Sequence, residues 1–193
     1  MPAIKAVYLV PRGAVVRSGR IHEIAETLSK CQSFFARQAG ISVEWSVRRS
    51  PIRGENPASA YNQSHNLAAE VLDPLRSGSA IVGVFFEGSL SEPAYGTLSM
   101  DNLAPQHFVI AQPYISMLGG RGDVVVAHEI GHTLGLPHPS GDGYSIMGGI
   151  IASEALDEQS LFPWTRPHLS RSERRYLRNR WIIRDAERAA SDL

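Results

Sequence analysis

The run H-E-I-G-H-T-L-G-L-P-H at residues 128–138 carries the side chains best suited to chemistry in this chain. Residues four apart lie on the same face of an α-helix, so His128 and His132 can present two imidazoles to one ion. His138 can supply a third nitrogen from beyond the helix. Three histidines leave one position of a tetrahedral metal open, as catalytic zinc sites do. The spacing therefore predicts a Zn²⁺ centre held by these three residues.

Glu129 is the predicted general base of this centre. It follows His128 by one residue, about 100° around the helix, so its carboxylate can reach a water on the metal without being a ligand. Zinc lowers the pKa of such a water to near 7. A carboxylate that takes the proton and passes it to the leaving group contributes roughly 10²–10⁴ in rate. Gly135 is expected to end the helix in the left-handed conformation, so that the chain turns and delivers His138.

This run, with the residues after it, resembles the metzincin family of zinc endopeptidases. H-E-x-x-H-x-x-G-x-x-H is the signature of that family. Its second mark is a methionine in a tight turn beneath the zinc, and Met147 stands in the segment Y-S-I-M-G-G shortly after His138. The resemblance implies that Met147 forms a hydrophobic floor under the metal. It also implies that the chain is a metalloendopeptidase that cleaves peptide or protein substrates, with Glu129 as its base.

The resemblance also implies an α+β, zincin-like fold. Residues 1–138 would form an upper catalytic subdomain with a mixed twisted sheet and two main helices, ending in the zinc-binding motif. Residues 139–193 would form a lower, irregular and helical subdomain that holds the methionine turn and a C-terminal helix. The zinc would lie in the cleft between these two parts of one compact catalytic domain.

Two features are similar to the serralysin branch of the family, namely Pro139 after the third histidine and the Y-S-I-M turn. Gly149, however, stands where that branch has a tyrosine, so Tyr144 and Tyr114 remain the candidates for a phenol that stabilises the oxyanion. Substrate-pocket candidates are Ile150, Ile151 and again Tyr144. A zinc-binding peptide-recognition module with little or no turnover, and a hydrolase of small amides, remain alternative interpretations.

Composition narrows the classes of partner. The formal net charge of the 193 residues is zero, so no overall field draws the chain to nucleic acid or to a charged membrane. We therefore expect neither of those partners. We also expect a monomer. The chain has no apolar stretch long enough to cross a bilayer and no signal-peptide pattern at its start. This predicts a cytoplasmic protein, or one exported without a cleaved leader. Cys31, the one cysteine, is expected to be a buried core thiol.

Periodicity predicts the elements around the metal centre. Alternating or continuous apolar residues predict strands over 4–10, 41–47, 80–86 and 107–111, with an edge strand over 94–100 that can pair with extended substrate. Apolar residues at helical spacing predict helices over 20–39, 61–73 and 124–134. Residues 50–60 read as a loop. The predicted N-caps are Ser18 and Asp123 for the first and third of these helices. Ser170 and Glu173 form a capping box that opens a C-terminal helix.

Overall fold

A five-stranded sheet forms the centre of the molecule. The computed structural model describes residues 2–49, 54–57, 81–91, 94–97, 106–118, 121–138, 145–148 and 167–191. The strands are β1 (Ala3–Leu9), β2 (Pro11–Arg12), β3 (Glu44–Arg49), β4 (Gly54–Pro57), β5 (Ile81–Phe86), β6 (Ala94–Gly96) and β7 (His107–Ala111). The helices are α1 (Arg20–Ala39), α2 (Gln112–Met117), α3 (Gly122–Thr133) and α4 (Arg171–Ser191). The fold is therefore a mixed α+β arrangement, in agreement with the fold class predicted from the sequence.

The sheet has the strand order β3-β1-β5-β7-β6. Its first four strands are parallel, and β6 runs antiparallel to β7 at the edge. All six residues of β5 are buried, because this central strand is covered on both faces. Side chains that alternate along β1, β5 and β7 enter two separate apolar clusters, and the larger one also takes in the inner faces of α1 and α3. The sheet and α1 thus form the support on which α3 rests.

Several predicted boundaries differ from those observed. β3 begins at Glu44 rather than at residue 41, although Ile41 and Val43 are buried before it. Gly54–Pro57, inside the predicted loop, is a strand because it pairs in parallel with β2 in a small second sheet. α2 was not predicted, since its six residues are too few to show a helical period. The edge strand covers 94–96, and both residues 98–100 and the predicted helix 61–73 lie outside the described part of the chain.

The helix ends correct two of the predicted caps. The residue before α1 is Gly19, in the left-handed conformation with φ 88°, and no side chain caps this end, so the prediction of Ser18 was wrong. α3 begins at Gly122, which places Asp123 inside the first turn rather than at the cap. The capping box of α4 is present: the Glu173 N–H donates to Ser170 Oγ (3.3 Å), and the Ser170 N–H donates to Glu173 Oε2 (2.6 Å).

A buried ion pair ties α1 and α2 to the ends of the parallel strands. Arg20 and Glu87 are 4% and 7% exposed. Arg20 Nε donates to Glu87 Oε2 (2.9 Å) and Nη2 to Oε1 (3.2 Å), while the Tyr8 hydroxyl donates to Oε2 (2.9 Å). Arg20 Nη1 donates to Glu23 (2.6 Å) and to Ser116 Oγ (2.8 Å). We refer to these five residues as the Arg20–Glu87 cluster.

Within the described residues, no helix is long and apolar enough to cross a membrane. Cys31 is buried in the core as predicted, and burial raises the pKa of its thiol. Its Sγ lies 3.6 Å from the carbonyl oxygen of Asp123, which contributes to the contact between α1 and α3.

Candidate metal centre

α3 carries two of the three histidines of the centre. The helix is buried along almost its entire length, because its valines and Ile130 pack into the core between the sheet and α1. It ends in a Schellman motif: Gly135 has φ 97°, its N–H donates to the His132 carbonyl (2.9 Å), and the Leu136 N–H donates to the Gly131 carbonyl (2.9 Å). The left-handed glycine reverses the chain, so His138 approaches the open face of the same helix.

The three imidazoles meet at one point. His128 Nε2 and His132 Nε2 are 3.0 Å apart, His132 Nε2 and His138 Nε2 are 3.0 Å apart, and His138 Nε2 and His128 Nε2 are 3.2 Å apart. His128 and His132 are buried, whereas His138 is exposed. The three residues predicted from their spacing are therefore gathered by the fold into a cluster that is able to bind a metal ion.

Backbone carbonyls orient the two helix histidines. His128 Nδ1 lies 2.6 Å from the Ile146 carbonyl oxygen, and His132 Nδ1 lies 2.8 Å from the Leu136 carbonyl oxygen. A carbonyl oxygen only accepts, so each Nδ1 carries the proton and donates it. Each Nε2 therefore keeps a free lone pair directed at the common centre. This is the outer-shell arrangement that fixes the tautomer of metal-binding histidines.

Burial keeps these imidazoles neutral. It lowers the pKa of His128 to about 3 against the opposing effect of the Ile146 hydrogen bond, and the two neighbouring histidines lower it further. Burial also lowers the pKa of His132, with His138 contributing in the same direction. A metal ion binds the neutral form of imidazole, so the environment of the two side chains holds them ready for a cation at neutral pH.

The chemistry of the donor set fits a metal ion. Three lone pairs that converge in a poorly solvated place repel one another unless a cation or a proton lies between them. A tetrahedral ion with metal–nitrogen distances of about 2.0–2.1 Å holds its ligand nitrogens about 3.3 Å apart, which is close to the observed separations. Imidazole nitrogens suit zinc and its neighbours among the first-row metals. His128, His132 and His138 can thus hold such an ion.

Glu129 is buried and lies close to Gly96 of the edge strand β6. The residue is 6% exposed. A Cβ added to Gly96 of β6 would come within 2.6 Å of the Glu129 carbonyl oxygen and 3.0 Å of its Oε2, so only glycine fits there. Tyr114 of α2 is half-buried, and its pKa is raised by burial and by the negative charge of Glu129. The predicted base, the edge strand and one of the two candidate phenols therefore belong to the same region.

Met147 packs under α3. It is fully buried, and residues 145–148 form a turn in which the Gly148 N–H donates to the Ser145 carbonyl (2.9 Å). A Cβ added to Gly131 would lie 2.5 Å from Met147 Sδ, so the glycine inside the histidine motif admits the sulfur to the helix surface. Ile146, just before Met147, supplies the carbonyl that orients His128.

The remaining substrate-pocket candidates, Tyr144, Ile150 and Ile151, lie outside the described residues, as do Pro139 and Gly149.

Sequence reasoning missed four contributors to this region: Gly96, Gly131, Ser145 and Glu173. A glycine in the middle of a helix is a recognisable signal of close packing, so Gly131 could have been selected. The other three depend on contacts between distant segments.

No protein-family model matches this chain, and neither does any curated protein sequence. Two of the solved structures that share its fold each cover most of this chain. The first is archaemetzincin from Methanopyrus kandleri, with 17% identity and a TM-score of 0.59 over 92% of this chain and 94% of that one. The second is metalloproteinase-II from Bacteroides fragilis, with 14% identity and a TM-score of 0.54 over 92% of this chain and 52% of that one. This chain therefore spans about half of the Bacteroides chain, and at such identities the likeness establishes the fold alone.

Proposed function

We propose that this protein is a zinc-dependent endopeptidase of the metzincin type. The observation that carries the proposal is the convergence of the Nε2 atoms of His128, His132 and His138 to within 3.2 Å of one another, next in sequence to a buried Glu129. The fold shared with archaemetzincin and metalloproteinase-II supports it. In this proposal the three histidines hold Zn²⁺, Glu129 is the general base, and Met147 forms the hydrophobic floor of the site.

Zinc bound there would supply Lewis acidity, which lowers the pKa of a water molecule and polarises the carbonyl group of the peptide bond. Glu129 takes the proton of the attacking water and delivers it to the leaving amine nitrogen. Gly96 supports this step, because the absence of a side chain lets the edge strand lie directly against the carboxylate.

Of the two candidate tyrosines, Tyr114 lies within the described residues, and we propose that its hydroxyl stabilises the oxyanion. Burial and the charge of Glu129 both raise its pKa, so the hydroxyl stays protonated at neutral pH and can donate to negative charge that develops on the carbonyl oxygen. A Tyr114→Phe variant tests this role, because it removes only the hydroxyl.

The substrate proposed for this site is an extended peptide. Among the described strands, β6 lies at the edge of the sheet, next to β7. The backbone groups on the other side of an edge strand can pair with an added strand, and such pairing binds peptide largely without regard to its sequence. Since Gly96 of β6 touches Glu129, a peptide held along this strand would pass near the base. Residues 1–138 and 139–193 would then form the two sides of the cleft.

Casein digestion tests the proposal. Protein loaded with one equivalent of zinc is incubated with this unstructured substrate, with and without a zinc chelator, and the fragments are mapped by mass spectrometry. We expect fragments that the chelator abolishes and that added zinc restores. Protein that holds zinc and binds casein without cutting it would instead be a peptide-recognition module. Protein that does not take up zinc would overturn the metal centre itself.

A further inference from the structure

Glu173 of α4 is a buried carboxylate that makes two separate contacts. It is 7% exposed. Its Oε2 accepts the Ser170 N–H in the capping box (2.6 Å), and its Oε1 accepts the hydroxyl of Ser145 (2.8 Å) from the turn at 145–148. The capping box alone accounts for the first contact. The second joins the C-terminal helix to a segment 28 residues earlier in the chain, and helix capping does not explain it.

The Ser145 hydroxyl also makes a hydrogen bond inside the turn at 145–148. Ser145 is 1% exposed, and because its proton is directed to Glu173, its oxygen is free to accept the Met147 N–H (3.2 Å). The Ile146 N–H donates to the His168 carbonyl (2.9 Å), just before α4 begins. Two contacts from the start of α4 therefore fix the peptide groups on both sides of Ile146.

The carbonyl of Ile146 is the acceptor that orients His128, at 2.6 Å from Nδ1. Its position follows from the turn, and the turn is held by Ser145 and Glu173. We infer that Glu173 is a positioning residue for His128, acting through the hydroxyl of Ser145 and the carbonyl of Ile146. This inference rests on the proposed metal centre but not on peptide cleavage.

Variants at the two ends of the Ser145–Glu173 hydrogen bond test the inference. Ser145→Ala and Glu173→Ala are loaded with zinc, and affinity is measured by competition with a chromophoric chelator. Outer-shell contacts to metal ligands are worth about 10–100-fold in metal affinity, and we expect a loss in that range from each variant. The double variant should bind zinc as tightly as the weaker-binding of the two single variants, since either change alone already breaks the same hydrogen bond.

Ser170→Ala is the matched control. It removes the hydroxyl that caps α4 but keeps the Ser170 N–H and the contact between Glu173 and Ser145. Its Tm should fall, while its zinc affinity stays within about twofold of wild type, because the connection to His128 is intact. If all three variants lose zinc affinity in proportion to their loss of Tm, Glu173 is only structural and the inference is wrong.

Spectroscopy separates positioning from folding. In Co²⁺-loaded protein, the visible absorption of Ser145→Ala and Glu173→Ala should differ from wild type, and that of Ser170→Ala should not. The Nδ1–H proton resonance of His128 should shift in the first two variants only. Wild-type spectra and wild-type affinity in folded Ser145→Ala would overturn the inference, even if Glu173→Ala does not fold. A wild-type protein that binds zinc but leaves casein intact would refute the endopeptidase and leave this inference standing.

Discussion

The metal centre and the Arg20–Glu87 cluster are both buried groups of polar side chains, yet they are composed in opposite ways. In the Arg20–Glu87 cluster each donor faces an acceptor: the guanidinium and the Tyr8 hydroxyl share the carboxylate of Glu87. In the metal centre, three acceptors of one kind face each other 3.0–3.2 Å apart. In the first cluster the donors and acceptors satisfy one another, whereas the second is able to bind a cation.

The pKa values reflect this difference. Burial alone would raise the pKa of Glu87, but the hydrogen bonds from Arg20 and Tyr8 outweigh burial and lower it. Glu87 and Arg20 therefore both stay charged. At His128 burial is the dominant effect, and it favours the neutral form that a metal needs. A buried polar cluster whose donors and acceptors are paired thus holds elements of the fold together, and one whose lone pairs converge indicates a binding site.

The largest effect is expected from Glu129→Gln at the metal centre. This change keeps the shape of the side chain but removes the base, so kcat for casein should fall by roughly 10²–10⁴. Zinc content should stay at one equivalent, because the three histidines are untouched. Both quantities are measured on the same preparation. Wild-type turnover in this variant would remove Glu129 from the mechanism.

The second largest effect is expected from Glu87→Gln in the Arg20–Glu87 cluster. It removes the buried counter-charge of Arg20 and leaves only the exposed Glu23 to pair with the guanidinium, so the free energy of unfolding in urea should fall by about 3 kcal/mol. Zinc affinity should not change. Glu26→Gln is the matched control, since it breaks an ion pair on the surface in which Glu26 is 59% and Lys30 is 52% exposed. It should lower the free energy of unfolding by less than about 0.5 kcal/mol.

The stability lost in Glu87→Gln should depend on pH in one direction. Because the pKa of Glu87 is lowered in the folded protein, its contribution is present above the pKa of the unfolded chain. It disappears as the pH falls through the lower, folded value. The difference in unfolding free energy between wild type and Glu87→Gln should therefore be constant near pH 7 and shrink in acid. A difference that grows as the pH falls would contradict the ion pair.

A smaller effect is expected from Gly96→Ala. The new methyl group would meet the backbone oxygen and the carboxylate of Glu129, so the strand or the base must shift. Small displacements of a catalytic group cost up to about 10²-fold, and we expect kcat/KM to fall by about 10-fold or more with zinc retained. Gly40→Ala, at a position with open space but a left-handed φ of 68°, is the control that lowers stability without changing kcat/KM.

The smallest effect is expected from Gly131→Ala. Its methyl group would overlap Met147 Sδ, which is close to the end of a flexible side chain and can move. Overpacking of this kind costs about 1–3 kcal/mol, and the gain in helix propensity offsets about 1 kcal/mol of that. We expect a small decrease in Tm. The loss of zinc affinity should be smaller than the loss in Ser145→Ala. If Gly131→Ala is more stable than wild type, Met147 does not pack against α3 as described.

Much of the metal centre was predictable because its signals are local. The four-residue period brings His128 and His132 to one face of α3, and Gly135 ends that helix within the same short run. The predictions that failed had the same local basis. The prediction of a cap at Ser18 rests on residue type alone, but Gly19 adopts the left-handed conformation before the helix, and Arg20 forms the buried pair with Glu87.

What the sequence determined by itself is the set of groups able to bind a metal ion: two imidazoles on one helix, with a carboxylate beside them, and a third imidazole just beyond the glycine that follows the helix. The tertiary structure alone decided what surrounds them. The carbonyl of Ile146 against His128, the backbone of Gly96 against Glu129, and the link from Glu173 to Ser145 all join segments far apart in the chain. Such contacts leave no periodic pattern, because they depend on how the sheet and helices pack rather than on the geometry of any single element.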